Sequence, residues 1–120
     1  MNKIQLLTEF LREEIRFILF ERKYLTEDVA VISKVDAVRK IRAHKGQIFT
    51  VAFIKKTDGT QRIMNCRLGV TRYLKGGVLP YDAKAKGYIP VYDLQKKAYR
   101  ILNTNTLTAL KIGGEAWKVQ

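Results

Sequence analysis

Two groups of residues in this chain carry side chains suited to holding phosphates and stacking on flat rings. The first is Arg62, Arg67, Arg72, Tyr73 and Lys75; the second is Tyr88, Tyr92, Tyr99 and Arg100. Lysine and arginine pair with phosphate oxygens, while tyrosine rings and the guanidinium plane stack on bases. Interleaved along strands, these are the residue types of a surface for single-stranded nucleic acid. The competing use of the tyrosines is core packing. Under strict alternation Tyr88, Pro90 and Tyr92 share one face of a strand and Ile89 and Val91 the other. We expect Ile89 and Val91 inside, with Tyr88 and Tyr92 presented outward.

Other chemistries find little support. His44 is the only histidine and stands beside Lys45 in a basic stretch. Cys66 has no second cysteine to share a metal and no evident base to activate it, so it reads as a partly buried strand residue. Asp58 belongs to a turn, and Asp82 and Asp93 fall in or beside loops, so no carboxylate pair suggests acid–base work. Gly69, Gly76 and Gly77 are not followed by the Lys-Ser/Thr of a phosphate-binding loop. The expectation is a protein that is not an enzyme and needs no metal or cofactor.

Charge points the same way. The chain has 23 Lys and Arg against 11 Asp and Glu, a formal net charge of +12 over 120 residues. Residues 1–38 are close to neutral, whereas residues 39–75 hold ten basic side chains and a single acidic one, Asp58. So uneven a distribution is a footprint for polyanions or a solvated basic surface. A hydrophobic content of 47% supports one core. Interrupted by Glu9, Arg12, Glu13, Glu14 and Arg16, the first twenty residues resemble neither a signal peptide nor a membrane span. One cysteine and no membrane segment suit the cytoplasm.

The elements that position these residues follow from period and punctuation. Asn2 with Gln5 is a capping pair. Ile4, Leu7, Leu11, Ile15 and Ile18 recur at helical steps, widened by Leu6, Phe10 and Phe17. This amphipathic helix is expected to pack on the rest of the domain; the alternative is a partner-binding or dimer-forming helix. Val29 to Ile32 reads equally as a helical turn or a short strand. Ser33 and Asp36 cap a second helix, with Val35, Val38 and Ile41 on its apolar side. From Gln47 the period becomes two. Strands are expected through Ile48–Ile54 and Arg62–Leu68, joined by Thr57-Asp58-Gly59-Thr60 as a type I′ hairpin turn. A connector follows, with Arg72, Tyr73 and Lys75, and then a polar loop to Lys86. A hairpin of Ile89–Tyr92 and Tyr99–Leu102 comes next, a tight polar turn at Asn103–Thr106, and strands at Thr108–Ile112 and Ala116–Val119. Pro90 inside a strand marks an edge or a bulge. The fold class is α+β: helices over 1–45, then a small antiparallel barrel of SH3-like or Sm-like order over 46–120.

Tyr88-Ile89-Pro90-Val91-Tyr92-Asp93 resembles the start of the WYL motif, and Arg100 to Leu107 parallels its second half in length. Gln47–Cys66, Arg67–Val70, Lys75–Pro80 and Ile89–Asp93 together resemble small WYL-like proteins with an Sm-like SH3 barrel, common in tailed phages. The resemblance implies binding of nucleic acid or a nucleotide-type ligand by the barrel, with Tyr92 and Arg100 as contacts. Asn103, Asn105 and Thr106 stand where the motif has arginine, aspartate and arginine, and Gly87 where it has tryptophan.

The expectation is therefore a phage-encoded, nucleic-acid-binding regulator, with single-stranded DNA or RNA favoured. Arg62, Arg67, Arg72, Lys75 and Arg100 would hold phosphates, and Tyr73, Tyr88 and Tyr92 would stack. The alternatives are a modulator of a host protein acting through the first helix, and a sensor of a nucleotide-type ligand. A homo-oligomer is possible through strand edges or the first helix.

Overall fold

A computed structural model describes residues 2–44, 46–68 and 87–120. The chain is α+β. Helix α1 spans Lys3–Tyr24 and α2 spans Lys34–Ala43. Seven strands, β1 (Ala30–Ile32), β2 (Phe49–Ile54), β3 (Gln61–Leu68), β4 (Tyr88–Asp93), β5 (Ala98–Asn103), β6 (Leu107–Ile112) and β7 (Glu115–Val119), form one sheet. A single 3₁₀ turn, Thr104–Thr106, joins β5 to β6. The strand order is β1-β7-β6-β2-β3-β4-β5.

The sheet is mixed rather than wholly antiparallel. β1 lies parallel to β7, with Ala30 opposite Trp117 and Ile32 opposite Val119. Gln120 N–H donates to the Ile32 carbonyl at 3.0 Å and extends that ladder. α1 carries the chain across the sheet and returns it beside β7, so the stretch before Ser33 becomes an edge strand inside the region expected to be helical. β1 and β5 are the two ends of the order, and no ladder joins them among the described residues.

Alternation decides the two faces. Phe49, Val51, Met64, Cys66, Ile89, Val91, Leu102, Leu107, Leu110 and Val119 point to one side and form the main core, into which α2 inserts Ala37 and Ile41. We call this the inner face. Ile41, Val51, Val91 and Leu110 are fully buried, each worth about 1.5–3 kcal/mol of transfer free energy. Val35 was expected on the apolar side of α2 and is instead 67% exposed, its place taken by Ala37. Ser33 caps α2 as expected, its Oγ accepting from the Asp36 N–H at 3.1 Å.

The outer face has a smaller cluster, where Phe20, Phe17, Tyr24 and Leu25 of α1 cover Ala52, Ile63 and Ala109. This corrects the reading of α1. Its N-terminal capping box forms, but the stripe of Ile4, Leu7, Leu11, Ile15 and Ile18 does not pack on the domain. All five are exposed, Ile4 at 75% and Leu11 at 53%. The helix has two apolar sides, and the aromatic one docks because Phe17, Phe20 and Tyr24 fill the hollow over Ala52 and Ala109. The side chains of Leu6 and Phe10 lie outside the described residues.

Two turns set the register. The β2–β3 hairpin closes with Lys55 N–H to Thr60 O at 2.9 Å and Gly59 N–H to Lys55 O at 2.7 Å. Gly59 has φ +71° while Asp58 does not have positive φ, so this is a four-residue turn and not type I′, which needs positive φ at both central residues. At the other end Gly87 has φ +79°, and a Cβ there would meet Thr104 Oγ1 at 2.6 Å. Thr104 donates through both its N–H and its hydroxyl to the Gly87 carbonyl. This accounts for a glycine at the motif's tryptophan position. The ladder between β3 and β4 runs from Cys66–Asp93 to Leu68–Val91, one pair short of Pro90. At Pro90 itself β4 pairs only with β5 among the described residues, where the missing N–H is tolerated.

Candidate functional site

Register across β3, β4 and β5 brings three side chains into line on the outer face. Arg67 is opposite Tyr92, and Tyr92 is opposite Tyr99. The Arg67 guanidinium sits 5.3 Å from the Tyr92 ring centroid. The Tyr92 and Tyr99 rings meet edge to face, 5.1 Å between centroids. Both distances fit favourable cation–π and aromatic geometry. Arg67 is exposed and forms no ion pair with a described residue. Tyr88 shares this face four residues earlier in β4, while Ile89 and Val91 are buried on the other. The expected alternation holds for the tyrosines, which are half-buried, whereas Pro90 on their side of the strand is buried as well.

The same face continues toward α1. Thr50 is flanked by Asn65 on β3 and Lys111 on β6, and its hydroxyl donates to Asn65 Oδ1 at 2.7 Å. Asn65 is two residues from Arg67, about 7 Å along the strand. Arg16, Lys23 and Tyr24 of α1 close a groove of about 380 Å³ over Thr50, Asn65 and Lys111. Lys23 and Lys111 lie 5.2 and 4.9 Å from the centroid of the Tyr24 ring. Arg16 is partly offset by Glu13 at 3.6 Å. The outer face thus combines rings, a guanidinium and ammonium groups on one continuous surface.

The remaining arginines stand elsewhere. Arg62 and Arg67 are five residues apart, so they project from opposite faces of β3. Arg62 belongs to the hairpin end, 3.8 Å from the Asp58 carboxylate, and its Nε is buried with no hydrogen-bond partner. Asp58 is held below the usual carboxylate range, first by its hydrogen bonds from the Thr60 hydroxyl and N–H and further by Lys55 and Arg62. Arg100 neighbours Tyr99 in β5 and projects the other way, donating to Asp93 Oδ2 at 3.2 Å. Asp93 stands beside the β4–β5 turn, as expected. It ends β4, only 3% exposed, and its other oxygen accepts from the N–H groups of Gln95 and Lys96. Tyr92 and Arg100, the pair implied by the WYL resemblance, are therefore on opposite faces, and Arg100 is engaged in the β4–β5 turn. Asn103 and Asn105, where the motif has charges, are used by the 3₁₀ turn, Asn103 Oδ1 accepting from the Asn105 N–H. Arg72, Tyr73 and Lys75 lie outside the described residues.

Sequence reasoning grouped Tyr99 with the candidate tyrosines but left it off the expected contacts, and it did not point to Lys111, Lys23 or Arg16. Tyr99 was legible as Tyr92's cross-strand partner once the hairpin register was drawn. The other three depend on which side of α1 docks. Cys66 is wholly buried rather than partly so. Burial, with the charge of Asp93 as a smaller cause, pushes its thiol up to about 12, so it is no nucleophile at neutral pH. Among the described residues no cluster of His, Cys, Asp or Glu could hold a metal ion, and no helix is long and apolar enough to cross a membrane. Comparison with family models, curated proteins and solved structures returns no match.

Proposed function

We propose that this chain is a non-enzymatic nucleic-acid-binding protein of the cytoplasm that takes single-stranded DNA or RNA across the outer face of its sheet. The observation that carries the reading is the Arg67–Tyr92–Tyr99 ladder, with Arg67 exposed and both rings half-buried, running toward the Lys23–Tyr24–Lys111 groove. In this reading bases stack on Tyr92 and Tyr99, Arg67 covers a base or phosphate, and the groove cations follow the backbone. Arg72, Tyr73 and Lys75 fall between β3 and β4 in sequence, outside the described residues.

We further propose an Sm-like barrel of the small WYL-like, phage-encoded type. Its support is the order β6-β2-β3-β4-β5, the 3₁₀ turn between β5 and β6, and the register shift at Ala52/Phe53 that coils β2 against β6. A regulatory role rests on the resemblance alone. A modulator of a protein partner is the second reading, favoured by the exposed stripe of α1.

The test is titration of a labelled oligonucleotide at several salt concentrations. Affinity should fall steeply with salt, by a slope of roughly −0.7 per neutralised phosphate for a single strand. A salt-independent response, or binding of a mononucleotide with none of the oligonucleotide, would reject it.

A further inference from the structure

The exposed stripe of α1 is symmetric. Its members Ile4, Leu7, Leu11, Ile15 and Ile18 are separated by three, four, four and three residues. A two-fold axis through Leu11 therefore sets Ile4 against Ile18, Leu7 against Ile15, and Leu11 against itself. We propose that the occupant of this face is a second copy of the same chain, its α1 packed antiparallel across that axis. Such an interface is isologous, which is what a closed dimer requires.

Area and charge both fit a second copy. With Leu19 on the flank, the stripe exposes about 650 Å² per chain, or about 1,300 Å² for a pair, inside the range of specific interfaces. Those side chains are 45–75% exposed, and α1 docks on the sheet by its opposite side through Phe17, Phe20 and Tyr24. The pairing thus needs no rearrangement. In a chain of net charge +12, residues 3–24 hold five basic and four acidic side chains. This is the surface on which two such molecules meet with least repulsion. Antiparallel pairing also separates the two basic sheets, each attached to the C-terminal half of its helix, and opposes the helix dipoles.

The flanks agree in sign. Lys3 and Glu21 are eighteen residues apart, five helical turns, so they lie on one side of the stripe. In the antiparallel pair Lys3 of each copy comes within a turn of the partner's Glu21, giving two opposite-charge contacts. Arg22, the next stripe position after Ile18, ends the apolar surface. The dimer stands whether or not the outer face binds nucleic acid.

Sedimentation equilibrium on the full chain, freed of nucleic acid, tests this over about 1–300 μM, the range where an interface of this size is expected to assemble. The expected result is a shift from 13.9 kDa toward twice that mass. Leu11→Glu should abolish the shift by placing two carboxylates on the axis, with the circular dichroism spectrum unchanged because Leu11 is 53% exposed within the chain. Leu11→Cys should cross-link on oxidation, since Cys66 is buried, whereas Ile4→Cys alone should not. A monomer throughout the range, a dimer that survives Leu11→Glu, or cross-linking by Ile4→Cys in preference to Leu11→Cys would overturn the proposal.

Discussion

The two faces of β3, β4 and β5 use their arginines differently. On the inner side and at the hairpin ends, Arg62 and Arg100 are spent on Asp58 and Asp93. On the outer side Arg67 meets a ring and, among the described residues, no carboxylate. A guanidinium held by an acid is a structural group, because a phosphate would have to displace its partner. One lying on a tyrosine keeps its charge available and offers a plane for a base. The count of basic residues in a segment is thus a poor guide to a site; the parity of each residue along its strand is a better one.

The largest effects should come from breaking the structural side. Asp93→Ala removes the acceptor for two backbone N–H groups and for Arg100 at once, and should cost about 1–3 kcal/mol, read as a lowered urea midpoint. Gly87→Ala should cost a similar about 1–3 kcal/mol, because it combines positive φ with a clash against Thr104. Neither change should weaken oligonucleotide binding by the fraction that remains folded. A large affinity loss in either would mean that the inner side belongs to the site.

Breaking the outer side should do the reverse. Tyr92→Ala should weaken oligonucleotide binding about tenfold, the typical contribution of one stacked base, measured by fluorescence anisotropy. Tyr92→Phe should keep most of the affinity, since the ring and not the hydroxyl stacks. A separate effect, confined to alkaline solution, is a pH dependence from Cys66, which touches neither face's surface. Its thiol stays neutral in the folded chain up to about 12 against an ordinary 9.0, while the unfolded chain ionises it earlier. Its contribution is therefore complete below pH 9.0 and is lost as pH rises toward the folded value. The melting temperature of the native chain should decline toward that of Cys66→Ala over this interval.

Much of this architecture is legible in the residues. The capping pairs at Asn2 and Ser33, the change of period at Gln47, the Asp-Gly hairpin and the Asn103–Thr106 turn all mark local events, and local chemistry decides them. Three features are not local. β1 is three residues long with no alternation, and only its place beside β7 makes it a strand. α1 is apolar on two sides, and nothing in its own residues says that Phe17, Phe20 and Tyr24 would find a hollow over Ala52 and Ala109 while Leu11 would not. The Arg67–Tyr92 pairing depends on the register of β3 against β4, strands separated by nineteen residues of connector that leave the offset open. The separation of Arg62 from Arg67, by contrast, was readable from their odd spacing alone.

Paired salt titrations of Arg67→Gln and Arg100→Gln with a labelled single-stranded oligonucleotide test the central claim most directly. If the outer face is the site, Arg67→Gln weakens binding and lowers the salt slope by roughly 0.7, while Arg100→Gln leaves both near their native values and shifts only the unfolding midpoint. Equal loss in the two variants, or a loss confined to Arg100→Gln, would contradict the assignment.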